Sequence, residues 1–226
     1  MIRYFKMPFK KQRYNFVKVM EDLFWGGQMI PHNLSQLHFR LKESYDQLFE
    51  IGKDSSTSLH QQFYDQYRSG WPEMESLYEK FIKEFVSKQF DEDFLYQAFP
   101  TVRFHIPGNV AVGRYHNDSE FGHPEGEINF IVPLTDSDDT ASVWLESEPG
   151  IGDFKAIKLQ LGVLVMFNGN KLTHGNKVNM TNSTRVSMDF RILPISKYYV
   201  EQAGSSITTN TKFVEGKYFK RFKKCQ

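Results

Sequence analysis

The feature that most constrains this chain is a change in the period of its apolar residues near position 100. Before that point Phe16, Val19, Met20, Leu23 and Phe24 recur at helical spacing, and Gly26-Gly27 closes the segment. Asn33 can cap a second helix carrying Leu34, Leu37, Leu41, Tyr45 and Leu48 on one face. Gly52 and the polar stretch 54–58 predict a break, followed by a third helix over 58–68. Pro72 suits the first turn of a fourth helix, with Leu77, Tyr78, Phe81, Ile82 and Phe85 as its stripe. From Pro100 the period becomes two, and strands are expected near 101–106, 110–115, 127–133, 141–147, 155–160, 162–168 and 184–192. Short strands at that spacing make a sandwich or a barrel.

The strand faces bear on function. Ile128, Phe130 and Val132 oppose Glu127 and Asn129; Val143 and Leu145 oppose Ser142, Trp144 and Glu146; Val186, Met188 and Phe190 oppose Arg185, Ser187, Asp189 and Arg191. In a simple sandwich the polar face meets solvent. In a small barrel with helices over its apolar face, the polar face would line a pocket. On the second reading Asn129, Trp144 and Ser187 point inward, while Phe130, Leu145 and Met188 point outward.

Composition removes several classes. A net charge of +1 supplies no field toward nucleic acid or anionic membranes. The basic aromatic run at 217–224 is read as a solvated tail. One cysteine, Cys225, rules out an intrachain disulfide and cysteine metal clusters. No signal peptide or membrane span is evident, so a cytoplasmic location is expected, and the patterns at Asn179 and Asn182 are read as coincidental matches to glycosylation sites.

One constellation stands out. His116-Asn117-Asp118 is followed by His174 after 174 − 116 = 58 residues, and Arg185-Val186-Ser187 opens 185 − 174 = 11 residues later. A histidine two residues before an acid is weak evidence alone: 7 × 27/226 gives about 0.8 by chance, and two occur, at His116 and at His123-Pro124-Glu125. Order and context add weight. Residues i and i+2 share a strand face, so His116 and Asp118 can reach one ion. Two imidazoles and a carboxylate can occupy one face of an octahedral Fe(II). Arg185 and Ser187 can bind a carboxylate by charge-assisted hydrogen bonds. His123 with Glu125 is the rival pair, 51 residues before His174.

With those residues the chain resembles the Fe(II)/2-oxoglutarate-dependent oxygenases, whose signature is His-x-Asp…His…Arg-x-Ser. The stretch 115–121 is similar to taurine-dioxygenase-like members. Leu172-Thr173-His174-Gly175 and Asn179 resemble phytanoyl-hydroxylase-like members. His123-Pro124-Glu125-Gly126-Glu127-Ile128-Asn129-Phe130 and the segment 184–191 resemble the streptomycin-biosynthesis hydroxylase-like subgroup. The resemblance covers about residues 100–194. It implies an α+β fold, a double-stranded β-helix with an N-terminal helical layer. The chain divides into helical support (1–99), catalytic core (100–194) and C-terminal extension (195–226) within one domain. It implies Fe(II) on His116, Asp118 and His174, and 2-oxoglutarate held by Arg185 and Ser187 with Asn129 and Trp144 nearby. Oxygen is the co-reactant and a polar small molecule the substrate, with His123, Glu127, His105 and Arg103 as substrate-side candidates. A cupin-type isomerase, a 2-oxoglutarate-independent dioxygenase and a metal-free binding barrel are the alternatives.

Overall fold

The computed structural model describes residues 4–26, 33–44, 47, 57–111, 114–207 and 210–224. Two antiparallel sheets face each other. The larger is built from β1 (Tyr4–Pro8), β2 (Phe94–Gln97), β3 (Thr101–His105), β4 (Ile128–Pro133), β7 (Val163–Phe167), β9 (Arg185–Pro194) and β10 (Phe219–Phe222). Its order is β1-β7-β4-β9-β2-β10, with β3 also paired to β9. The smaller is β6-β5-β8, from β5 (Val143–Leu145), β6 (Lys155–Ile157) and β8 (His174–Asn176).

Period-two alternation sorts the large sheet cleanly. Val186, Met188, Phe190 and Ile192 of β9 lie beneath the helices, in register with Phe130 and Val132 of β4. Arg185, Ser187, Asp189 and Arg191 turn toward the small sheet, as do Asn129 and Ile131. The cover consists of α1 (Phe16–Trp25), α2 (Ser58–Arg68) and α3 (Pro72–Glu84). Asn15 caps α1, its Oδ1 accepting from Lys18 N at 3.2 Å, and Gly26 ends it at φ 63°. Phe24 meets Phe104 edge-on at 5.5 Å and Tyr78 meets Phe190 at 5.6 Å. Each such buried ring removes about 1.5–3 kcal/mol of apolar exposure from water.

The small sheet has the opposite polarity. Val143, Leu145 and Ile157 pack inward against Ile131, Val165 and Phe167. No helix covers its far side, so its apolar residues must face the other sheet. This corrects the expectation for Trp144 and Leu145: Leu145 pairs with His174 and shares its side, whereas Trp144 pairs with Gly175 and points away. The Lys177 ammonium lies 3.4 Å over the Trp144 ring.

Other expectations also shift. The segment after Asn33 is a 3-10 helix, Leu34–Arg40, capped by Asn33 as anticipated. Gly27, Tyr45, Leu48, Gly52, residues 54–56 and Cys225 lie outside the described residues. Among the described residues at 110–115 there is no strand. Strand pairing extends beyond 100–194 at both ends: β1 forms one edge of the large sheet, and β10 builds the other from the run read as a solvated tail. Phe219 in that run is fully buried with Leu95, Leu193 and Phe213. Asn179 is also buried, its Nδ2 donating to His105 O and Ser183 O at 2.9 Å, so its role is to tie loops together.

Candidate metal centre

His116 and His174 face each other across an isolated antiparallel bridge, with His116 N to His174 O at 3.0 Å and His174 N to His116 O at 2.8 Å. Their rings therefore project together, 4.7 Å between centroids. The extended segment ends at Asn117, which caps a single 3-10 turn, Asp118–Phe121, in a reciprocal box with Glu120. Asp118 thus opens a turn rather than sharing a strand face with His116, and its N–H donates to Gly169 O at 2.8 Å. The outcome is convergence: Asp118 Oδ1 lies 3.8 Å from His116 Nε2 and 3.7 Å from His174 Nε2.

Each other donor of this trio already has a partner. Nδ1 of His116 and of His174 lie 3.0 Å from the carbonyl oxygens of Arg114 and Leu172. A carbonyl only accepts, so each Nδ1 carries the proton and each Nε2 presents a lone pair. Asp118 Oδ2 accepts from Asn129 Nδ2 at 2.6 Å and Arg191 Nε at 2.7 Å. Two imidazole nitrogens and one carboxylate oxygen remain, aimed at one point, with the spacing a divalent cation needs. Burial opposes a charge on Asp118, but the positive Arg191 outweighs it and holds the carboxyl well below its usual range. Burial, then the neighbouring His174, lowers the His116 imidazole and favours the neutral ligand form.

Arg185 is 2% exposed and lines a narrow inner cavity with His116, His174, Asn129 and Asn176. Its Nη1 donates to Ala141 O at 2.9 Å and Asn176 Oδ1 at 2.8 Å, which fixes the plane of the guanidinium. Ser187 donates to Asp189 at 3.2 Å, and Asp189 pairs with Arg103 at 3.2 Å. A second, outer cavity of about 650 Å³ opens over His116 and Asp118 and is lined by Arg103, His123, Arg191, Lys217 and Tyr218 among others.

The remaining candidates separate. His123 Nδ1 lies 2.8 Å from Glu127 Oε2, and burial raises the Glu127 carboxyl. Asp118, His123 and Glu127 form a second cluster beside the first. Glu125 sits outside, exposed and paired to Lys171 at 3.1 Å. His105 is wholly buried behind Arg185, its Nε2 2.9 Å from Asn109 O. Trp144 stands on the far face of its strand from His174. Glu146 clamps the loop before His174, accepting from Thr173 N at 2.6 Å and Gly152 N at 3.1 Å. Sequence reasoning placed Arg191 in the interior without a task, and missed Asn176 and Gly169. The run of odd-numbered polar residues 185, 187, 189 and 191 on one strand was the available signal.

No protein-family model matches the chain. Among solved structures, EctD from S. alaskensis with bound Fe aligns at a TM-score of 0.46 and 12% identity, over 86% of this chain and 73% of that one. HygX from Streptomyces hygroscopicus, with nickel and 2-oxoglutarate bound, aligns at a TM-score of 0.46 and 10% identity, over 90% of each chain. Likenesses that distant leave the case to the side chains and to sequence. The streptomycin biosynthesis protein StrG of Streptomyces griseus is 35% identical over 166 residues, 74% of this chain and 77% of that protein. Identity of that depth over most of both proteins means that the chain belongs to the StrG family.

Proposed function

We propose that this protein is an Fe(II)- and 2-oxoglutarate-dependent oxygenase, with a double-stranded β-helix core, that hydroxylates a polar small molecule. The observation that carries the reading is the convergence of His116 Nε2, His174 Nε2 and Asp118 Oδ1 next to a cavity holding a buried arginine. The donor set fits a ferrous ion: two neutral nitrogens and one anionic oxygen, with coordination positions left over. It fits a cupin-type isomerase less well, because no third histidine joins this trio among the described residues. StrG, by its name a protein of antibiotic biosynthesis, agrees with a small-molecule substrate.

When bound, iron and 2-oxoglutarate supply the oxidising power: the keto acid is decarboxylated to succinate and carbon dioxide, and one atom of dioxygen goes to a substrate C–H. The chain's own residues do the rest. His116, Asp118 and His174 hold the metal on one side. Arg185, oriented by Ala141 O and Asn176, meets the distal carboxylate of the cosubstrate, with Ser187 beside it. Asn129 and Arg191 occupy Asp118 Oδ2 and keep that carboxylate monodentate. The outer cavity admits the substrate from the side of His116 and Asp118.

The test is succinate release by purified protein against a panel of polar small molecules. Release should need added Fe(II) and 2-oxoglutarate, rise with the right substrate and vanish in His174→Ala. Release that persists in His174→Ala, or loss of Fe(II) binding in His123→Ala but not in His116→Ala, contradicts the assignment.

A further inference from the structure

Resting on that reading, we infer that the substrate carries an oxyanion, a phosphate or a carboxylate, seated against Lys217 and Arg103 at the outer cavity. The argument is the sorting of charge between the two sides of the interior. Arg103, Arg191 and Lys217 line the outer cavity, and Asp118 is the one carboxylate that does so. Asp118 is spoken for, with Oδ2 held by Asn129 and Arg191 and Oδ1 turned to the metal position. The other interior acids are withdrawn. Glu127 is 1% exposed behind His123, and Asp189 lines the inner cavity instead. Glu146 is committed to two backbone N–H groups.

An amine-bearing substrate would enter this cavity against three cations and find no carboxylate to receive it. Like charges in a partly desolvated cleft are costly, and they set specificity by repulsion as much as by attraction. An oxyanion meets the reverse. Lys217 is exposed and has no ion-pair partner among the described residues. Arg103 shares only its Nε with Asp189 in the recorded pair. The Thr211 and Thr101 side chains on the same wall provide hydroxyls of the kind that complete phosphate and carboxylate sites. Phe99 and Phe121 supply apolar wall for the body of the molecule.

The experiment uses one sugar ring with three charges. Binding of glucose 6-phosphate, glucuronate and glucosamine to the full-length protein is measured by calorimetry, without metal and again with Ni(II) and 2-oxoglutarate. We expect at least one anion to bind about tenfold or more tightly than glucosamine, and Lys217→Glu to remove that preference. Which anion binds tighter separates phosphate from carboxylate. Glucosamine binding as well as either anion, a preference unchanged in Lys217→Glu, or no saturable binding of either anion below about 10 mM overturns the inference. Separate titrations of Ni(II) and 2-oxoglutarate report on the oxygenase reading, so the two can fail independently.

Discussion

Replacing Arg191 with methionine should destabilise the metal-free protein severely, and more so at neutral than at mildly acidic pH. Arg191 Nε donates to Asp118 Oδ2 at 2.7 Å and sits 3.9 Å from Glu127 Oε2. Nη1 reaches Gln97 Oε1 at 3.5 Å and the Tyr218 hydroxyl at 3.4 Å. Methionine retains most of the stem but none of these contacts, and leaves two buried carboxylates with no cation between them. Stranding a buried charge costs about 3–5 kcal/mol. In a domain this size each kcal/mol lowers Tm by about 2–4 °C, so a drop of about 6–20 °C follows. The pH dependence has a definite sign. In the wild type the Asp118 carboxyl is held below its unfolded value, so its contribution is present above about pH 4 and lost as pH falls through the folded value. In the variant burial goes unopposed, the carboxyl rises above its unfolded value, and protonation on acidification relieves the strain. The gap between variant and wild type should therefore narrow from pH 7 to pH 5 in urea denaturation. A gap under about 1 kcal/mol, or one that is constant with pH, would refute this account of Arg191.

Other outcomes follow from the same geometry. Burial lowers both His60 and His105 to about 3, so each is neutral when folded and takes up a proton near pH 6.5 when unfolded. Stability should fall with acidification between those values, by about 2 kcal/mol per histidine from pH 7 to pH 5, and His60→Leu should remove about half of that slope in urea titrations. A Cβ at Gly169 would come 2.6 Å from Asn129 Nδ2, so Gly169→Ala should push the amide off Asp118, costing about 1–3 kcal/mol and weakening Mn(II) binding by calorimetry. Arg185→Lys should raise the 2-oxoglutarate needed for half-maximal binding by tenfold or more (about 1.4 kcal/mol) while metal affinity holds, because an ammonium cannot make the paired fork contact.

Much of this was legible in the chain. The change of period at residue 100 marks where helices give way to sheet, and the polar positions of β9 announced an interior wall. His116, Asp118 and His174 were findable because the chemistry needs those residue types. Their exact support was not, since the bridge that aligns the two imidazoles joins residues 58 apart. Trp144 illustrates the limit of alternation. A period of two states which residues share a face, but not which face is inside. The large sheet has a helical cover and turns its polar side inward; the small sheet has none and does the reverse. The terminal run 217–224 misled because its charge hides an alternation that buries Phe219 while Lys220 reaches Glu79 on α3 at 2.7 Å.

The central claim is that His116, Asp118 and His174 hold a ferrous ion to which 2-oxoglutarate binds. Anaerobic titration addresses it directly, because a keto acid chelated to ferrous iron produces a visible charge-transfer absorption that neither component gives alone. The account predicts that this band grows to one equivalent of iron in the wild type and is absent in His174→Ala. A wild-type protein that gives no band with both components in excess, or a His174→Ala variant that gives the full band, would contradict it.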